Sequence, residues 1–301
     1  MLTEKTLIWS KGYFNDEYSN KKTESICSKK EIIHRIQNTE NVIFIRTGSM
    51  TKNLDLDLFA NNLDKLTKPC ILITSDGDRP TPSSYHKNTC NKILDNSNII
   101  KWHTQNYDKS IIHDKLDYYP IGFDLHTQKW LINNSIQSKI DFMVSCRIKS
   151  PTEKRISNKI FSDSHNSITH PSRREIYNII KNMDLFDLSR SRKSFIDITN
   201  DYNKYNFVIS PRGNGLDCHR TWELFLAGVI VIIKTSFLDD MFIKNDLPVV
   251  ILHEWDELNN ITENTLAEWY QSHIHKTDIN HIFPKLMYNY WITLTGKKNE
   301  T

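Results

Sequence analysis

The chain has 301 residues, of which 38% are hydrophobic, 11% aromatic and 25% charged, a balance that excludes a disordered chain and leaves room for two domains of ordinary size. Its 39 Lys and Arg against 36 Asp and Glu leave a net charge of +3 with the signs interspersed, so no charge field points to nucleic acid or to a membrane surface as partner. Five scattered cysteines without a CxxC pair, an N-terminus too polar for a signal peptide, and no apolar run near the ~18 residues of a membrane span give the expectation of a soluble, cytoplasmic protein with reduced thiols.

Apolar runs alternate with helical stretches from the start. NVIFIRTG (41–48), LDLFANNLDKL (56–66) and CILITSDGD (70–78) read as strand, helix, strand, and NIIKWHTQN (98–106) and YYPIGFDL (118–125) as two further strands. QKWLINNSIQSK (128–139) is polar and without a strong period, which places a domain boundary there and gives domains 1–138 and 139–301. The second half restarts with IDFMVSC (140–146) as a strand, a polar loop RIKSPTEK, a basic helix RREIYNIIKNM (173–183), the strand KYNFVIS, a helix after Asp217 and the strand VIVII (229–233). The segment 263–295 carries aliphatic and aromatic residues at helical spacing, as helices packed on a core do. The expected fold is therefore α/β, with two doubly wound parallel sheets.

The stretch FVISPRGNGLDCHRTWELFLAGVIVII (207–233) has the most chemical content. Pro211 ends a strand, Gly213 and Gly215 allow a tight loop around Asn214, and Asp217 suits the N-cap of the next helix, which ends at Ala227-Gly228. Such a loop running into a helix N-terminus attracts an anion, and Arg220 adds a cation with bidentate donors. Glu223, three residues beyond Arg220 and four beyond His219, shares their helix face, where a carboxylate accepts from ribose hydroxyls. The plain alternative is a turn followed by a solvated Arg220–Glu223 pair. Neither GxxxxGK[ST] nor GxGxxG is present, since the third glycine position is Cys218.

These residues resemble the C-terminal signature of exostosin-like glycosyltransferases of family 47, in which a Pro-x-Gly turn leads to Asp, Arg and Glu, then Gly before an apolar strand. SDGD (75–78), HTQN (103–106), PIGFDLHT (120–127) and LPVVILHEWDEL (247–258) follow in the same order, so that the likeness covers roughly residues 70–260 and is dense only at 205–258. The resemblance implies a GT-B architecture, two Rossmann-like domains facing a cleft. It also implies inversion at the anomeric carbon, a nucleotide-sugar donor with UDP as its nucleotide, and a glycan or glycoconjugate hydroxyl as acceptor. Carried onto this chain, Arg220 neutralises the leaving diphosphate, Glu223 holds the ribose or base side, Gly213, Asn214 and Gly215 shape the phosphate loop, and Asp217 caps the helix. The membrane anchor usual in animal members is not seen here.

An inverting transfer also needs a base for the acceptor hydroxyl. Ligands of open α/β sheets sit beyond the carboxyl ends of the strands, which nominates Asp76 or Asp78 first and Asp124 or His126 second, with a plain DG turn as the alternative for the first pair. Arg147, Lys149 and Arg155, in the loop after IDFMVSC, are expected near the donor phosphates. No metal is required on this reading. The competing possibilities are a metal-dependent GT-A transferase using Asp76 and Asp78 as its DxD, and a non-catalytic nucleotide- or glycan-binding protein of the same fold.

Overall fold

The computed structural model describes residues 2–3, 5–11, 26–39, 41–48, 55–163, 169–189 and 191–293. Among them no helix is long and apolar enough to cross a membrane. The chain divides into two compact units. The N-terminal unit is Ile8–Ile121 with Gly215–Asp217 and Tyr288–Thr301, and the C-terminal unit is Met1–Leu7, Gly122–Asn214 and Cys218–Met287. Residue 138, where the sequence suggested a boundary, lies inside a helix of the C-terminal unit.

The N-terminal unit runs α1 (Lys29–Gln37), β1 (Val42–Gly48), α2 (Asp55–Ala60), β2 (Cys70–Gly77), α3 (Lys87–Asp95), β3 (Ile99–Thr104) and β4 (Leu116–Tyr118). β1 and β2 are buried on both faces, which is why they read as continuous apolar runs rather than alternating ones. All four strands pair in parallel in the order β1-β2-β3-β4. This order has no reversal among the described residues, so the doubly wound pattern expected of both sheets does not describe this one. The run YYPIGFDL is strand only at its first residue, because Pro120 follows with no N–H to continue the ladder.

The C-terminal unit contains α4 (Ile136–Lys149), β5 (Ile156–Ser162), α5 (Ser172–Ile180), β6 (Phe186–Leu188), α6 (Phe195–Tyr202), β7 (Tyr205–Ile209), α7 (His219–Ala227), β8 (Ile230–Lys234), α8 (Asp239–Lys244), β9 (Val249–Leu252), α9 (Glu263–His273) and α10 (Ile279–Ile282). Its parallel sheet has the order β6-β5-β7-β8-β9, which reverses between β5 and β7. Ile160, Phe207, Ile209, Ile230 and Ile232 of the sheet pack with Ile176, Ile180, Trp255 and Leu266 into one core. The run IDFMVSC is a helix, not a strand: Lys139, Ile140, Met143 and Cys146 are buried at spacings of three to four, and Ser135 caps the start by accepting from the Ser138 N–H. The first strand of this sheet is instead β5, whose exposed first half hides it from an apolar scan.

Helix α7 follows β7 at that reversal. Trp222, Leu224, Phe225 and Leu226 are fully buried, at about 1.5–3 kcal/mol each relative to exposure, and they hold the helix against the sheet. Gly228 ends it in the left-handed conformation with φ 72°.

Candidate functional site

In an open parallel sheet the loops leaving the strands on either side of a reversal diverge and open a crevice at the carboxyl ends. Here the diverging loops follow β5 and β7, and a cavity of about 180 Å³ lies in the C-terminal unit, lined by Asp163 after β5, Ser191 to Lys193 after β6, and His219, Arg220 and Glu223 of α7. Asp124, Trp130, Lys139 and the α6 residues Phe195, Ile198 and Tyr202 complete its wall. The volume of about 180 Å³ is below the 300–1,000 Å³ or so of pockets that enclose drug-sized ligands, so it takes in a fragment and not a whole ligand of that size.

Arg220 is held from one side. Its Nη2 donates to Asp163 Oδ2 at 3.1 Å, the same oxygen that accepts from the Tyr202 hydroxyl at 3.1 Å. Burial opposes the charge on Arg220, but the neighbouring Asp163 outweighs it and keeps the guanidinium protonated beyond its ordinary range. The Arg220 Nη1 and Asp163 Oδ1 atoms are buried with no hydrogen-bond partner among the described residues. Native proteins rarely leave such atoms unmade, so the pair carries unspent donor and acceptor capacity beside the cavity. Arg173, buried at the first turn of α5, donates through Nε to the Arg212 carbonyl at 3.2 Å and through Nη2 to the Pro211 carbonyl at 3.4 Å, bracing the loop that leads from β7.

Glu223 is held too. Its Oε1 lies 3.0 Å from Nζ of Lys139, whose side chain is 1% exposed, which also donates to the Asp124 carbonyl at 2.5 Å and sits 4.3 Å over the Phe195 ring. A buried ammonium with a carboxylate, a carbonyl and an aromatic face satisfied around it fixes all three. The Asp124 carboxylate accepts from the Thr127 N–H at 3.0 Å and lies 3.3 Å from His126 Nδ1. Burial pushes its pKa up, yet His219, His126 and Lys139 together pull it down to about 2. His219 itself has Nδ1 at 2.8 Å from the Gly122 carbonyl. At the other side of the cavity the Arg192 guanidinium lies 5.6 Å over the Trp130 ring, and Lys193 pairs with Asp201.

Sequence expectations divide here. Arg220 and Glu223 do share one face of α7 and one cavity. Gly213 and Asn214 do not line it, and neither Gly213 nor Gly215 occupies the left-handed region. A Cβ on Gly213 would meet only the Thr169 hydroxyl, at an ordinary 3.9 Å, whereas a Cβ on Gly215 would lie 2.9 Å from the Asn106 side-chain amide, so close approach and not backbone twist is what glycine serves at 215. Asp217 is not the cap of α7; that position is Cys218, and the Asp217 carboxylate accepts from the Ile121 N–H at 2.8 Å while its own N–H donates to Asn106 Oδ1 at 3.0 Å. Arg147 and Arg155 are not beside Arg220. Because 136–149 is helical, Arg147 falls in its last turn and donates to the carbonyls of Ala227 (3.0 Å) and Thr277, and Arg155 donates to those of Gly228 (3.2 Å) and Ser150. Burial lowers both pKa values, that of Arg155 to about 10.

In the N-terminal unit, Asp76 stands near the end of β2 with φ 64°, 3.0 Å from Arg46 Nε and 3.5 Å from Lys11 Nζ, and is buried. Gln105 at the end of β3 accepts from the Ser75 hydroxyl and the Asp76 N–H. Two cations against one carboxylate oxygen oppose a metal ion there. Asp78 is half-buried in the loop after β2.

Asp163, Lys139, Tyr202, Trp130 and Arg192 were not legible as site residues. Asp163 carried one usable signal, a carboxylate directly after the apolar end of KIFS, but that strand itself went unread.

No family model matches the sequence, and no curated protein does. Among solved structures, the chain is similar to the pneumococcal O-GlcNAc transferase GtfA in complex with UDP and GlcNAc, with a TM-score of 0.42 and 8% identity over 89% of this chain. The match spans 58% of that protein's chain.

Proposed function

We propose that the protein is a glycosyltransferase that moves a sugar from a nucleotide-sugar, with UDP as the nucleotide, to a hydroxyl of a glycan or glycoconjugate, with inversion at the anomeric carbon. One observation carries the reading. At the strand-order reversal of the five-stranded sheet, one face of α7 presents to a single cavity a guanidinium with an unmade donor and a carboxylate pinned by a buried lysine. The first is what a leaving diphosphate requires, and the second what ribose hydroxyls require. The likeness of the same residues to the exostosin-like signature agrees with it.

In this reading Arg220 keeps Nη2 on Asp163 and gives Nη1 to the phosphate, while Arg192 supplies further positive charge and Trp130 a flat apolar face. Glu223 receives the ribose. The architecture is GT-B, with the donor on the C-terminal unit and Gly213, Asn214 and Gly215 setting the course of the loop before α7. Of the two carboxylates nominated as proton acceptor, Asp76 is committed to Arg46 and Lys11.

The test is a thermal-shift titration with UDP and with UDP-xylose, UDP-galactose, UDP-glucuronate and UDP-N-acetylglucosamine, all in EDTA, on the wild type and on Arg220→Ala. A donor at 100 times its Kd adds roughly 2.7 kcal/mol of stability. One UDP-sugar should stabilise the wild type and leave the variant unmoved. Binding that requires Mn²⁺ and ignores Arg220 would instead support a metal-dependent transferase, and no binding at all would overturn the reading.

A further inference from the structure

His219 is the first residue of α7 and lines the same cavity as Arg220 and Glu223. Its Nδ1 lies 2.8 Å from the carbonyl oxygen of Gly122, a residue in the left-handed conformation at φ 65°. A carbonyl oxygen only accepts, so in this contact Nδ1 carries the hydrogen and Nε2 is left with a bare lone pair. No hydrogen bond to Nε2 exists among the described residues. A ring oriented by a backbone carbonyl, with its second nitrogen unbonded in a cavity, has the arrangement of a positioned general base.

The carboxylates of the cavity each hold a cation or a donor of the protein already. Asp163 takes Arg220 and Tyr202, and Glu223 takes Lys139. Asp124 accepts through its carboxylate from the Thr127 N–H at 3.0 Å and lies 3.3 Å from His126 Nδ1, and despite burial its neighbouring cations hold it below the ordinary carboxylate range, which weakens it as a base. It can do something else: its carboxylate is electrostatically coupled to His219, and the His126 ring stands 5.7 Å from that of His219, so Asp124 is placed to stabilise the imidazolium that a proton transfer creates. Around His219 the negative groups are Asp124 on the adjoining loop, Glu223 on α7 and Asp163 after β5, set against Arg220 on α7, Lys139 from α4, His126 on the loop, and Arg192 and Lys193 from the segment after β6.

We infer that His219, fixed by the Gly122 carbonyl and backed by Asp124, is the group that removes the proton from the acceptor hydroxyl during sugar transfer. The inference rests on the nucleotide-sugar reading of the cavity. Nε2 takes the hydroxyl proton as the acceptor oxygen bonds to the anomeric carbon, the bond from that carbon to the phosphate oxygen breaks, and its electron pair leaves with the nucleoside diphosphate. The imidazolium then returns its proton to solvent.

The experiment measures UDP release from the four UDP-sugars named above, with water as acceptor, against pH, for the wild type, His219→Gln, His219→Ala and Asp78→Asn, with UDP affinity measured separately by calorimetry. For His219→Gln, turnover falls about 10²- to 10⁴-fold. UDP affinity stays within about threefold, the acid limb of the pH profile disappears, and added imidazole restores part of the activity of His219→Ala. The inference is overturned if His219→Gln loses UDP affinity along with turnover, if its acid limb persists, or if the limb disappears in Asp78→Asn instead. An Nε2–H tautomer of His219 in the ¹⁵N spectrum of the free protein overturns it without any activity being measured. Those failures leave UDP binding by the wild type intact, whereas a wild type that neither binds nor releases UDP removes the reading of the cavity and the role of His219 together.

Discussion

The Arg220–Asp163 pair can be dissected by a double-mutant cycle in the free protein. The two side chains are 15% and 11% exposed and 3.1 Å apart. At an effective dielectric near 20, Coulomb's law gives about 5 kcal/mol of attraction at that distance, from which desolvation subtracts a substantial part. Asp163→Asn leaves a guanidinium without its carboxylate, and Arg220→Met leaves the carboxylate with Tyr202 alone, so each single change should cost about 3 kcal/mol. The double change removes both charges and should cost little more than either, a coupling of about 2–3 kcal/mol. Urea denaturation followed by tryptophan fluorescence reads all four corners. UDP should restore part of the stability of Asp163→Asn, because the diphosphate supplies the missing counter-anion. Additivity of the single changes within about 0.5 kcal/mol would show that the pair is not a unit and would refute the argument.

Two further outcomes follow from the same structure. Asp124, whose folded pKa of about 2 lies below its ordinary 3.8, contributes roughly 2 kcal/mol that is present above about pH 4 and is lost as pH falls toward 2; Asp124→Asn should flatten that part of the stability curve, and an unchanged acid limb would refute it. Gly228→Ala places a methyl group 0.7 Å from Arg147 Nη1 at a φ of 72°, so the left-handed strain and the displaced guanidinium together should cost about 3 kcal/mol in urea denaturation, and a loss below about 1 kcal/mol would show that the site relaxes freely.

Much of the sheet framework was legible because a buried parallel strand announces itself as a run of apolar residues, as β1, β2, β7 and β8 do. The same rule misled at 140–146, where a helix buried on one face happens to carry apolar residues on its flanks as well, and it was blind at β5, where the first three residues are exposed. Helix α7 was legible in its face and in its end, since the Gly228 stop and the spacing of Arg220 and Glu223 are local properties, but its start was not, because the cap is Cys218 and not Asp217. The supports of Arg220 and Glu223 were not legible. Lys139 sits 84 residues from Glu223 and Asp163 sits 57 from Arg220, and only the fold makes those pairs. Asp217 and Arg155 fit a local rule, a cap and a phosphate cation, that tertiary contacts overrode.

The two arginines at the far end of α7 alter what that helix offers the cavity. A helix ordinarily presents about +0.5 charge at its start and −0.5 at its end, so that a group near the start feels both, opposed. Here the guanidinium groups of Arg147 and Arg155 lie on the carbonyls of Ala227 and Gly228 and cover the negative pole. The helix of nine residues therefore behaves toward the cavity as a single fixed partial charge whose counterpart has been neutralised about 13 Å away. Residues outside the cavity thus set part of the field inside it.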